Sequence, residues 1–119
     1  MIAGALIYLA ATSAVLADKQ EPAAIIGAGV NTCAEFAQKY RDDPDHVMLI
    51  YFSWAQGAMS NINMLQKIMK KPMRDLVGFP LTEQMDRLRN FCDKRPLAHF
   101  GDGVLELFFQ FPEIKPESK

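Results

Sequence analysis

Charge is missing altogether from the first seventeen residues, MIAGALIYLAATSAVLA, and catalytic signatures are missing from the whole 119-residue chain. No Gly-x-Ser-x-Gly elbow and no His-Glu-x-x-His pair occurs, which removes the serine-hydrolase and zinc-protease patterns. Cysteine and histidine are limited to Cys33, Cys92, His46 and His99, and no two of them lie within six residues of each other. Structural zinc sites use close pairs such as C-x₂₋₄-C, so a Cys₂His₂ site is not expected. A Cys–His nucleophile pair is disfavoured as well, because a cysteine on a core face is inert or bridged. Gly27-Ala28-Gly29 follows a short apolar run, like the opening of a dinucleotide-binding turn. Thr32 stands where the third glycine belongs, and Asp42, Asp43 and Asp45 precede the next apolar run instead of closing a strand. A loop is expected there. The chain is read as a non-enzyme with no cofactor and no metal. Its 13 basic and 14 acidic side chains give no electrostatic case for nucleic acid or an anionic membrane surface.

The uncharged opening ends in Val15-Leu16-Ala17, with small residues at the −3 and −1 positions, and DKQEP follows. This reads as a signal peptide over 1–17, cut before Asp18, although no Lys or Arg precedes its apolar core. The alternative is a retained anchor, and contact with a membrane is expected only through an uncleaved leader. Seventeen residues fall short of the ~20 that a spanning helix needs. Cys33 and Cys92 are an even count in a chain that reads as exported, so a disulfide between them is expected. It would close a loop of about 60 residues, worth up to ~4 kcal/mol on the chain-entropy account. The expected location is periplasmic or secreted.

Residues 18–31 read as a linker. Thr32 opens a first helix, with Glu35 three positions on completing a capping box, and Cys33, Phe36, Ala37 and Tyr40 share a face. Pro44 ends it, because the residue before a proline avoids helical geometry. A long helix is predicted from about Asp45 to Lys70, with Val47, Tyr51, Trp54, Ala58, Ile62 and Leu65 in one apolar stripe and Leu49 as its large misfit. Gly57 sits mid-helix, where close packing beside Trp54 would explain it. Thr82 is expected to cap a third helix with Leu81, Met85, Leu88 and Cys92 inward. A fourth runs from Leu97 to Gln110 with Leu97, Phe100, Val104 and Phe108 inward, and its Gly101 and Gly103 weaken it. The tail over 111–119 is expected to be flexible. The fold class is therefore all-α, a small four-helix orthogonal bundle stapled by one disulfide, with its domain over 32–110.

Opposite the apolar stripe lie Ser53, Gln56, Ser60 and Asn63, a helix face without charge. It is the candidate interaction face. Plain solvation, or cover by the N-terminal linker, is the alternative.

The series Cys33-x-x-Phe36, Trp54-Ala-Gln-Gly57-x-x-Ser60-x-x-Asn63 and Phe91-Cys92-x-x-x-Pro96 resembles small periplasmic helical proteins of the HdeA type, and also the Tai-type immunity proteins of toxin systems. The resemblance covers roughly residues 30 to 110. It treats Trp54, Gly57 and Pro96 as scaffold positions and implies no catalytic residue. As an HdeA-like acid-stress chaperone, the protein would bind unfolded clients and form a homodimer that loosens in acid. Protonating every carboxylate would take the mature chain from −1 to roughly +16, enough self-repulsion to loosen a compact state. As an immunity-type protein it would instead block one toxin. A third reading is an uncharacterised binder of small ligands or a hydrolase.

Overall fold

A computed structural model describes residues 21–115 together with Gly4. The leader expected over 1–17, the start of the linker and the last four residues lie outside the described residues. The described chain is all-α. Four helices follow one another: α1 (Cys33–Asp42), α2 (Pro44–Ile68), α3 (Leu81–Lys94) and α4 (Phe100–Gln110), with a 3₁₀ turn at Ala28–Val30 ahead of them. No strand occurs among these residues, only isolated bridges between Thr32 and His99 and between Arg74 and Glu113.

Local chemistry sets most of the helix ends. Thr32 caps α1 through Glu35 N–H (3.1 Å), and the Glu35 carboxylate accepts from Thr32 N–H (3.2 Å), which completes the capping box. Asp43 caps α2, and Pro44 takes its first position, where the missing N–H has no cost. Beyond α2, Lys70 adopts a left-handed backbone (φ 56°), so that Lys71 N–H reaches back to the Gln66 carbonyl at 2.8 Å. Two expected starts move. Pro80, not Thr82, stands at the N-cap of α3 and makes no side-chain cap. α4 begins at Phe100, where Asp102 accepts from His99 N–H (3.0 Å), and Leu97 is left 89% exposed in the preceding turn.

Cys33 and Cys92 form a disulfide between the first turn of α1 and the last turn of α3, with Cα atoms 4.7 Å apart. Backbone bonds reinforce it. Cys33 N–H donates to the Ala98 carbonyl (2.7 Å), Ala34 N–H to that of Pro96 (3.1 Å), and Phe100 N–H to that of Asn31 (2.9 Å). The free N–H groups that open α1 are thereby satisfied by the α3–α4 connection, which is the structural use of Pro96. Next to this joint, Phe36, Tyr51 and Phe100 pack with ring centroids 4.9–5.1 Å apart. Met59, Met85, Leu88, Leu107 and Phe108 continue the core.

The far end is tied differently. Phe111 is buried against Phe79 (centroids 4.8 Å), while Asp75 N–H donates to the Pro112 carbonyl and Ile114 N–H to that of Met73, both at 2.8 Å. The expectation of a flexible tail from Phe111 is corrected over 111–114: this segment is stitched to the α2–α3 connection. Leu81, expected inward on α3, is 55% exposed, and Gln84 takes the buried position instead. The Gln84 side-chain amide donates to the Phe79 (2.8 Å) and Leu76 (3.2 Å) carbonyls and accepts from Gln56 (2.9 Å).

Replacing both cysteines by alanine should lower the unfolding free energy by about 2–4 kcal/mol in urea denaturation. Reductant should cause a comparable loss in the parent and none in the double variant. Gln84→Ala leaves two carbonyls and the Gln56 amide without partners, and should cost about 1–3 kcal/mol in the same measurement.

Candidate interaction groove

The predicted stripe of α2 divides. Its buried side carries Val47, Tyr51, Ala55 and Met59. At ~100° per residue, Ala55 and Met59 lie about 80–120° round from Val47, so the core lies to one flank of the expected stripe. Trp54, Ala58 and Ile62 pack half-buried against the same core, and their outer edges line an open groove. Its second wall is α4, through Gly101, Val104 and Leu105, and Ala24, Ile25, Gly29 and Val30 close one end. Its volume is about 550 Å³, within the ~300–1,000 Å³ of ligand sites. Leu65 and Phe109 extend the same helix faces by one turn. Ile25, Leu65, Leu105 and Phe109 are each 48–56% exposed. Large apolar side chains clustered in this way make a candidate contact surface.

Glycine makes the closed end. A methyl group on Gly29 would land inside the Trp54 ring, and one on Gly101 would meet the Gly29 carbonyl at 3.0 Å. The turn therefore lies flat on the indole, whose Nε1–H donates to the Ile26 carbonyl at 3.0 Å. Gly27 enters the turn with φ 90°, a backbone region that glycine alone adopts freely. Gly27-Ala28-Gly29 is thus a packing device for Trp54, and the end of the presumed linker is part of the fold, with Ala28 and Gly29 buried.

The uncharged face of α2 also divides. Gln56 is spent on Gln84. Asn63 clasps the Arg74 backbone in both directions, its amide donating to the carbonyl and its oxygen accepting from the N–H, both at 2.8 Å. These two lie toward α3 and the connection after α2, whereas Ser53 and Ser60 point to solvent. Gly57 does not pack closely. A methyl group there would meet nothing within 4 Å, which corrects the expected role beside Trp54.

Two other hollows have some of their polar groups committed. One of about 260 Å³ lies between α3 and α4, where Arg87 pairs with Glu83 (2.8 Å) and Gln110 (2.8 Å) and Arg95 covers the Phe91 ring. One of about 360 Å³ at the α1–α2 corner has Asp43 engaged in capping and Asn31 bonded to the Tyr51 hydroxyl (2.6 Å). The disulfide leaves neither cysteine free as a nucleophile or ligand, and no group of three or more His, Cys, Asp or Glu among the described residues gathers as a metal site. His46 and His99 stand apart and exposed at the starts of α2 and α4. No helix among the described residues is long and apolar enough to cross a membrane. The chain matches no protein-family model, no curated protein and no solved structure.

Sequence reasoning puts Trp54, Ala58 and Ile62 against the core, where they do pack half-buried, but periodicity does not show that their outer edges line a groove or that Leu65 is left exposed. The available signal was the placement of three glycines, Gly27, Gly29 and Gly101, that proves to serve one tryptophan.

Gly29→Ala should overpack this site and destabilise the protein by about 1–3 kcal/mol, with a change in Trp54 emission. Gly57→Ala should stabilise it by about 0.5–1 kcal/mol and raise the Tm, since the helix gains propensity and meets no obstruction.

Proposed function

We propose that the protein is an exported, non-catalytic binding domain acting as an HdeA-like periplasmic chaperone, holding partly unfolded clients under acid stress. The disulfide is consistent with an oxidising compartment outside the cytoplasm. The observation that carries the reading is the apolar groove open to solvent beside a covalently stapled core. Acid would act on carboxylates spread over the fold, of which Asp102 lines the groove. Glu113 pairs with Arg74 (3.5 Å), Glu83 with Arg87, and Glu35, Asp43 and Asp102 cap helices. In strong acid a chain with 14 acidic side chains accumulates net positive charge. Apolar surface then opens around a core that the disulfide keeps together.

The immunity-type reading draws on the same groove and on exposed Ser53 and Ser60, as a face for one dedicated partner at neutral pH. The two separate by experiment. The chaperone should suppress aggregation of unrelated proteins at about pH 3, where carboxylates are largely protonated, and lose that ability near neutrality. Absence of suppression at both pH values would remove the chaperone reading.

A further inference from the structure

We propose that the solvent face of α2 pairs with the same face of a second copy of this chain, antiparallel, about a two-fold axis at Gly57. This face borders the groove, with Asn61 common to both, and the pairing does not rest on acid chaperoning.

A surface helix ordinarily sets charged groups on the side away from the core. From Val47 to Gln66, α2 carries no charged side chain at all. Its outer side instead presents Leu49, Ile50, Met64, Leu65 and Ile68, which are 46–76% exposed, with Ser53, Gly57, Ser60 and Asn61 exposed between them. Large apolar groups set along one exposed helix side make a contact surface.

The order of the residues selects a second copy as the occupant. Counted outward from Gly57, Ser53 and Asn61 lie four residues away, Ile50 and Met64 seven, and Leu49 and Leu65 eight. Seven residues are about 10 Å of helix and close to two full turns, so Ile50, Gly57 and Met64 fall on one line. Turned end for end, the face matches itself: large apolar groups meet large ones, and small polar groups meet small ones. An isologous contact requires this, because each residue must suit its image position on the partner. Gly57 would stand on the axis. A methyl group there meets nothing within 4 Å in the protomer, so the fold itself gives glycine no use, whereas two backbones crossing at that point need it.

Charge sets the direction. Asp43 and Asp45 open α2, and Lys67, Lys70 and Lys71 close it. Asp43 and Lys71 are each fourteen residues from Gly57. In the antiparallel pair, each acidic start lies toward the other copy's basic end and the helix dipoles oppose; in a parallel pair like charges would meet. Lys39 and Arg41 at the end of α1 offset part of the acidic start, but Asp42 adds to it and the local balance stays negative. Asp45 and the three lysines enter none of the ion pairs among the described residues. The face offers fewer than the ~20–30 residues a side of a standard interface, so the pairing is reversible, with a dissociation constant on the order of 10–100 μM.

Sedimentation equilibrium of the oxidised protein purified after export, from about 5 to about 500 μM at neutral pH, should show a mass rising from one protomer toward two. Gly57→Gln, which meets no obstruction within the protomer, should keep the circular dichroism spectrum and weaken association by about tenfold or more. Ile50→Lys and Met64→Glu should each do the same. The two substitutions in one chain should restore the dimer and make it sensitive to salt, because each introduced cation then faces an introduced anion across the axis. A mass that stays at one protomer throughout, association indifferent to Gly57→Gln, or a double variant as weak as its singles would overturn the proposal. Association lost with Leu105→Glu and kept with Gly57→Gln would place the contact in the groove and overturn it as well. Acid suppression of aggregation can persist through any of these failures, so the two readings fall separately.

Discussion

The bond between Cys33 and Cys92 is the constraint around which the rest is arranged. It joins the first turn of one helix to the last turn of another, 59 residues away in the chain. The strand-like hydrogen bonds from Cys33 and Ala34 to Ala98 and Pro96 depend on that junction being held, because two backbone bonds alone are a weak tie for separate segments. Once closed, the joint presents Phe36 to Tyr51 and Phe100, and the aromatic cluster then sets where α2 and α4 lie. A domain of this length buries too little apolar surface to be generous with stability, so a covalent tie is a large share of what holds it.

The second organising feature is Trp54, which is neither fully core nor fully surface. Gly29 and Gly101 let the backbone come down on its ring, and its indole N–H finds a carbonyl in the same turn. An aromatic group held that rigidly makes a firm wall for whatever lies beside it. The groove owes its shape to this arrangement and not to a mobile surface loop.

Much of the architecture was legible in the residues. Thr32-x-x-Glu35 marks a helix start because both members of the capping box are local, and Pro44 marks a helix boundary for equally local reasons. Two cysteines behind an uncharged apolar opening indicate a bridge. What local pattern cannot supply is the direction of the core. On α2 the apolar residues cover a wide arc, and periodicity alone does not say that Ala55 and Met59 are covered while Ile62 borders a groove and Leu65 is exposed. Leu81 and Leu97 show the same limit, since both fit a periodic face and both lie exposed. The glycines show it too. Gly57 looks like a packing position and faces open space, whereas Gly29 looks like a loop residue and is in closest contact. Phe111 followed by prolines and charges reads as a loose end, yet its partner Phe79 comes from a segment far away in sequence.

Gln56 and Gln84 carry a consequence for how the molecule can respond to its surroundings. The link they make between α2 and α3, and the two carbonyls that Gln84 gathers, involve carboxamides only. Carboxamides neither gain nor lose a proton across the biological range, so this clasp is blind to acidity. The link between α2 and α3 therefore keeps its hydrogen-bonding groups unchanged in acid, whatever happens to the ion pairs around it.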